Sequence, residues 1–406
     1  MKNNINLDSF ISKFITKRQK SLVSEDLAKF DTELRHRING KNVLVIGGAG
    51  SIGTNFIKAL LKFEIRKLVI VDTNENGLTE LVRDLRSSTG YNIPEEFTTY
   101  PVNFGDFLFE KIFNTHGPFN IVTNFAAHKH VRSEKDVYSI EAMLENNVLR
   151  ARNLLDILLK SPPDHFFCVS TDKAANPVNI MGASKKLMEE LIISYSDKLQ
   201  ITTARFANVA FSNGSLPQGF LERINKNQPL SCPRDIRRFF VSPQESGEIC
   251  LLAAIMGNTG DIFFPKLNEN KDMISFDKIA MDLLLTLGLE PDICNSESEA
   301  RLKSKSLNDF SKSYPIYIFG SETSGEKPFE EFFTDNEELD INSFISLGIV
   351  KNAKKRSIFE INEILNQLSS LFRSKITSKT EIINTLKYYL PNFEHIEKGK
   401  VLDSQM

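Results

Sequence analysis

Thr171, Asp172 and Lys173 stand side by side in the run Ser170-Thr171-Asp172-Lys173, and Met181-Gly182-Ala183-Ser184-Lys185 follows shortly after. A hydroxyl, a carboxylate and an amine in succession can orient a substrate hydroxyl, donate a proton and accept one. Lys185 adds a second amine one helical turn beyond Met181. Met181 itself is a thioether and carries no proton at neutral pH. The competing reading is a solvated turn after a strand, with Thr171 or Asp172 capping the next helix.

A second constellation is Gly47-Gly48-Ala49-Gly50-Ser51-Ile52-Gly53, directly after the apolar run Val43–Ile46. Its G-x-x-G-x-x-G spacing at a strand-to-helix junction suits a tight turn, a bare backbone against a pyrophosphate and close helix–strand packing. Asp72 ends the next apolar run, Leu68–Val71. A carboxylate there accepts hydrogen bonds from the adenosine ribose and repels a 2′-phosphate, so NAD is expected rather than NADP. The alternative role for Asp72 is to cap a helix over 75–86. Phe125-Ala126-Ala127 places small residues where the nicotinamide half of such a cofactor lies. Asp106 is either a helix cap or a cofactor contact.

To hold these groups together the chain must alternate strands and helices. Short apolar runs predict buried parallel strands at 43–46, 68–71, 97–102, 120–124, 166–170 and 201–206. Helices are expected over 52–63, 75–86 and 137–160, and again from Met181. The expected fold is α/β, a Rossmann-type doubly wound parallel sheet with a smaller substrate-binding region. The divisions are a helical lead-in at 1–40, the dinucleotide domain at 41–210, the substrate region at 211–335 and a helical tail at 336–406. In the lead-in, Leu7, Phe10, Ile11, Phe14 and Ile15 recur at helical spacing, and Ser24 is placed to cap a second helix through Leu27, Phe30 and Leu34. The lead-in is expected to pack on the main domain.

The 406 residues are 41% hydrophobic and 25% charged, enough for a full core. A net charge of -2 gives no basic face for nucleic acid. Four separated cysteines fit neither a zinc site nor a disulfide framework, which suits a reducing cytoplasm. No apolar run reaches the roughly 18 residues of a membrane span.

The stretch STDKAANPVNIMGASKKLMEEL resembles the nucleotide-sugar 4,6-dehydratases of bacterial polysaccharide biosynthesis, within the extended short-chain dehydrogenase/reductase superfamily. It is similar to the branch acting on UDP-N-acetylglucosamine that has Met, here Met181, in place of the usual Tyr. NFAAHKHV, RFANVAFSNGSLP, RRFFVSPQESG and SGEKPFEEFF extend the match over roughly residues 40–335. The resemblance implies an internal redox elimination with NAD. Thr171 would bind the 4-hydroxyl, Asp172 protonate the leaving 6-hydroxyl and Lys173 remove the C5 proton, with the last two roles exchangeable. A base at Lys173 requires a depressed pKa, from burial or from Lys185. Lys185 would position the nicotinamide ribose, and Asn103 and Phe104 would lie by the adenine, where the family usually has Asp at 103. Lys129 and His130, at the sheet's carboxyl edge, are either substrate contacts or surface charges. Asn208 and Arg238 are expected at the diphosphate, with Arg237 as the alternative. Glu326 is either a contact to the nucleotide ribose or a solvated surface glutamate, in a loop that lacks the family's Arg. Further implications are retention at C5, pairing of copies through helices near 137–160 and 181–196, and an aminotransferase that consumes the product. The alternatives are an epimerase or reductase of the same superfamily, or a non-catalytic dinucleotide sensor.

Overall fold

Valine, isoleucine and phenylalanine runs form the central strands because both faces of a parallel sheet are covered. The computed structural model describes residues 5–308, 310–320, 327, 329–374 and 377–396. Its first strands are β1 (Asn42–Ile46), β2 (Lys67–Asp72), β3 (Glu96–Pro101), β4 (Ile121–Asn124), β5 (His165–Val169) and β6 (Ile201–Ala204). Its first helices are α1 (Leu7–Phe10), α2 (Ser24–Ile38), α3 (Ser51–Leu60), α4 (Glu75–Ser87), α5 (Phe107–His116), α6 (Val137–Leu144), α7 (Arg150–Lys160) and α8 (Ile180–Ser194).

Among the described residues the main sheet runs β3-β2-β1-β4-β5-β6, then the parallel strand Ile262–Pro265. Two antiparallel strands, Leu347–Val350 and Leu339–Asp340, complete that edge. The order reverses between β1 and β4, and their carboxyl ends open a crevice, which is where ligands of doubly wound sheets bind. The single helix expected over 137–160 is α6 and α7 joined by a π-helical turn at Glu145–Leu149. Two small sheets lie beyond β6. One joins Asn208–Val209, Arg237–Val241 and Met273–Ser275; the other joins Leu230–Pro233, Glu290–Cys294 and Ser313–Phe319.

The lead-in divides between two cores. Leu34 and Ile38 of α2 join the main core. Phe10, Ile11 and Ile15 instead pack with Phe211, Phe220, Ile279 and Leu283 of the smaller region, because Arg18 clamps the connecting segment through Glu245 and the Phe240 carbonyl. Ser24 lies in the first turn of α2; the N-cap position is Val23.

The tail begins with the two antiparallel strands, and its helices are Ile358–Arg373 and Lys379–Tyr389. Both carry apolar stripes into the main core, including Ile361, Leu368, Ile382 and Leu386. Arg356 pairs with Glu190 of α8, and Glu394 and Ile396 donate backbone hydrogen bonds to Pro177 and Val178. Every residue of α8 but Lys186 is buried. Part of the helix expected to meet a second copy at 181–196 packs against the chain's own tail through Glu190 and Arg356.

Candidate active site

The glycine loop has the backbone its glycines demand. Gly47 has φ +78°, and a Cβ there would stand 2.5 Å from the backbone nitrogen of Ala126. Gly53, inside α3, lies so close to the loop that a Cβ would meet the Gly47 carbonyl oxygen at 2.3 Å. The first turn of α3 carries no acidic side chain, so its free amides and positive dipole end remain available to an anion. Asp72 Oδ2 accepts from the Ala49 amide at 2.9 Å and Oδ1 from the Asn74 amide. Asn74, not Asp72, caps α4.

One cleft gathers Gly47, Gly50, Ser51, Ile52, Gly53, Asp72, Asn103, Phe104, Ala126, Ala127 and Lys129. The residues present fit a dinucleotide: a bare loop at a helix start, a carboxylate one strand away, and small side chains beyond. Asn146 and Asn213 also line the cleft and were not anticipated from sequence. Asn213 donates its amide to Ser51 Oγ at 2.9 Å, tying the loop to the segment that follows β6. Asp106 stands at the start of α5, outside the cleft, with no side-chain capping bond. Lys129 is exposed by surface area, yet it lines the concavity, and partial desolvation there lowers its pKa. His130 is exposed with its ring against Gly214.

Thr171, Asp172 and Lys173 lie one strand over, beyond the end of β5, which pairs in parallel with β4. Asn147, in the π-helical turn, joins the two places. It bonds both the amide and the carbonyl of His128 and the hydroxyl of Ser184 at 3.0 Å. Lys185 is buried and donates to the Val169 carbonyl at 3.0 Å; desolvation lowers its pKa. Met181 is buried at the start of α8, its amide held by Glu134 Oε1.

Thr171 Oγ1 donates to Asp172 Oδ1 at 2.8 Å. The same oxygen accepts the Lys173 amide at 2.9 Å and the Lys173 ammonium at 3.0 Å. On its other side Lys173 Nζ faces Glu330 Oε1 at 3.6 Å. Burial pulls the Lys173 pKa down, but Asp172 and Glu330 together outweigh it against Arg238, and the net shift is upward. This corrects the expectation of a depressed value: Lys173 rests as an ammonium, governed by two carboxylates rather than by Lys185. Burial raises the Glu330 pKa, with Asp172 adding to the rise and Lys173, Arg238 and Lys327 opposing it.

Glu330 was not anticipated from sequence. The available signal was an acidic pair, Glu330-Glu331, enclosed by Phe329 and Phe332-Phe333; such a setting buries at least one carboxylate. Arg238 is also buried, bonded to the carbonyls of Arg237 and Lys327 and 3.8 Å from Glu330 Oε1. Arg237 points to the surface. Asn208 is partly buried, its amide 3.5 Å from the Phe239 carbonyl. Glu326 lies outside the described residues.

Behind this cluster Ser170 Oγ donates to Glu189, and Glu189 with Glu337 clamps the fully buried Arg205. Such a charged group persists in an interior only when fully paired.

A dinucleotide loop beside a hydroxyl–carboxylate–amine cluster suits redox chemistry coupled to proton transfer, and known proteins accord with that. The family described as polysaccharide biosynthesis protein matches residues 43–351. The chain belongs to this family. A protein named as an uncharacterised membrane protein from Methanocaldococcus jannaschii is 29% identical over 82% of this chain and 97% of its own length. In the present chain, no helix among the described residues is long and apolar enough to cross a membrane. A UDP-N-acetylglucosamine 4,6-dehydratase (inverting) from Campylobacter jejuni is 28% identical over 57% of this chain and 69% of its own. Two longer bacterial polysaccharide and capsule proteins are matched over 44% and 56% of their lengths, so the chain spans about half of each. Among solved structures, Pen from Bacillus thuringiensis superposes with a TM-score of 0.61 at 22% identity, covering 82% of this chain and 99% of its own. It shares the fold.

Proposed function

We propose that the chain is an NAD-dependent nucleotide-sugar 4,6-dehydratase that converts UDP-N-acetylglucosamine to the 4-keto-6-deoxy sugar. The observation that carries the reading is the Asp172–Lys173 pair beside Thr171, with the aprotic Met181 buried where a Tyr would serve. An epimerase or reductase acts at C4 and needs no second acid/base pair. A sensor needs none at all.

Gly47, Gly50, Gly53 and the start of α3 hold the pyrophosphate in this reading, with Ser51 and Ile52 beside them. Asp72 binds the adenosine ribose, Asn103 and Phe104 flank the adenine, Ala126 and Ala127 border the nicotinamide half, and Lys185 holds its ribose. NAD, when bound, supplies a hydride acceptor for C4 and a donor for C6. Lys129, His130, Asn208 and Arg238 are assigned to the sugar nucleotide in this reading.

Thr171 takes the proton of the 4-hydroxyl and passes its own to Asp172, with which it is already hydrogen-bonded. Asp172 delivers that proton to the departing 6-hydroxyl, which leaves as water. Lys173 removes the C5 proton, made acidic by the adjacent ketone, and delivers one of its exchangeable ammonium protons back to the same face. Met181 has no proton to offer from elsewhere, so configuration at C5 is retained, unlike the outcome named for the Campylobacter relative. The substrate loses protons from O4 and C5 and gains them at O6 and C5, so the cycle closes. The product is a ketone, the substrate class of an aminotransferase, which we place downstream.

Asp172→Asn and Lys173→Met test the assignment. Each should lower turnover by about 10²–10⁴-fold, the usual contribution of a positioned acid or base, while UDP-N-acetylglucosamine still binds. Variants that keep wild-type turnover would exclude this chemistry.

A further inference from the structure

Lys173 cannot remove a proton while it carries one of its own, and in the resting site two carboxylates hold it as an ammonium. Asp172 cannot relieve it. On the dehydratase reading, on which this inference rests, Asp172 is then holding the 4-hydroxyl proton for the leaving group. Two protons are therefore in transit at once, and a second acceptor is needed. Among the described residues, Glu330 is the other carboxylate within 4 Å of Lys173 Nζ. It is buried away from solvent, and it also faces the Arg238 guanidinium and the Lys327 side. Its neighbour Glu331 turns elsewhere, to Asn176.

We propose that Glu330 stores the Lys173 proton: it accepts the proton when Lys173 becomes the base for C5 and returns it when the cycle ends. When Asp172 becomes neutral, it stops stabilising the ammonium, and the Lys173–Glu330 ion pair passes to a neutral amine and carboxylic acid. No net charge moves, and no proton enters from solvent. The N–H bond of Lys173 breaks as the O–H bond of Glu330 forms. Lys173 then takes the C5 proton, gives one of its ammonium protons, which exchange with solvent between turnovers, back to C5, and recovers its own from Glu330. The 3.6 Å separation exceeds a hydrogen bond, so the transfer needs one bridging water or a short approach of the side chains. Burial of Glu330 favours this exchange, because a low-dielectric site disfavours two separated charges once their counter-ion is neutralised. Glu330 is thus a positioning and proton-storing residue that acts through Lys173 without touching the sugar.

The test compares wild type with Glu330→Gln, Glu330→Asp and Glu331→Gln, using UDP-N-acetylglucosamine and its C5-deuterated form between pH 6 and 9. Wild-type kcat should be flat near neutrality, because the Lys173 proton never leaves the site. Glu330→Gln should lower kcat at pH 7 by about 10²-fold with KM unchanged. Its residual kcat should rise about tenfold per pH unit as Lys173 loses its proton to solvent, with a larger C5 deuterium isotope effect. Glu330→Asp should recover part of kcat and the flat profile, and it carries the test if the glutamine variant fails to fold. Glu331→Gln should match wild type. A Glu330→Gln enzyme within threefold of wild type, or one whose loss is a rise in KM with the pH profile unmoved, overturns the role. A wild-type enzyme that forms no dehydrated product overturns the dehydratase reading itself, and the role with it.

Discussion

Gly50 and Gly53 share one loop, and alanine at each tests a different property. At Gly53 a new Cβ meets the backbone of one peptide unit: the Gly47 oxygen at 2.3 Å, Gly48 Cα at 2.9 Å and Gly47 carbon at 3.0 Å. None of these atoms can rotate away, so α3 must shift off β1. Overpacking of this kind costs about 1–3 kcal/mol, which lowers Tm by several degrees in a domain of this size. At Gly50 the nearest atom to a new Cβ is the Gly47 oxygen at 3.4 Å, and φ is -74°, which alanine adopts freely. Gly50→Ala should therefore leave Tm within about a degree, yet place a methyl group where the pyrophosphate approaches. At 1.4 kcal/mol per tenfold, a clash of about 1–3 kcal/mol weakens NAD by roughly 5- to 150-fold. Differential scanning fluorimetry gives the first quantity and isothermal titration with NAD the second. A Gly50→Ala protein that binds NAD as tightly as wild type would refute the assignment of this loop to the pyrophosphate. A Gly53→Ala protein as stable as wild type would refute the packing argument.

Three further outcomes follow from the same geometry. Asp72→Asn removes the negative charge facing the ribose while an amide oxygen can still accept from Ala49, so the NAD-over-NADP ratio of dissociation constants should fall by about tenfold; an unchanged ratio refutes the role of Asp72. Arg205→Met removes the buried guanidinium that pairs with both Glu189 and Glu337 and should cost about 3–5 kcal/mol in urea unfolding; a loss under 1 kcal/mol would show the pair to be solvated. Burial, with a smaller push from Arg37, depresses the His165 pKa from 6.5 to about 4. That contribution to stability is complete above the unfolded value and is lost as the pH falls from about 6.5 to about 4, up to about 3 kcal/mol. His165→Gln should flatten this part of the stability–pH curve, and an unaltered slope contradicts it.

Local pattern made part of the molecule legible. The apolar runs of β1, β2, β4 and β5 and the glycine loop between β1 and α3 follow from neighbours in sequence, and the cleft residues from Gly47 to Lys129 follow from them. The surroundings of Lys173 were not legible, because Glu330 arrives from more than a hundred residues away and its effect on Lys173 reverses the expected shift. The same holds for Arg238, whose burial depends on the Lys327 carbonyl and Glu330. Helical spacing in the lead-in marked Phe10 and Ile11 as apolar but could not choose between two cores; Arg18 and Glu245 do so through contacts distant in sequence. The tail likewise showed an amphipathic stripe at Ile361, Ile364 and Leu365, without revealing that the tail packs against α8.

The most direct test is to incubate the purified chain with UDP-N-acetylglucosamine in D2O and follow the sugar by proton NMR. A new C6 methyl signal, deuterium entering at C5, and a coupling pattern of the retained D-xylo configuration are the predicted result. Unchanged substrate, from a folded protein that binds NAD, contradicts the dehydratase assignment; an inverted C5 contradicts the single-faced proton return assigned to Lys173 and Met181.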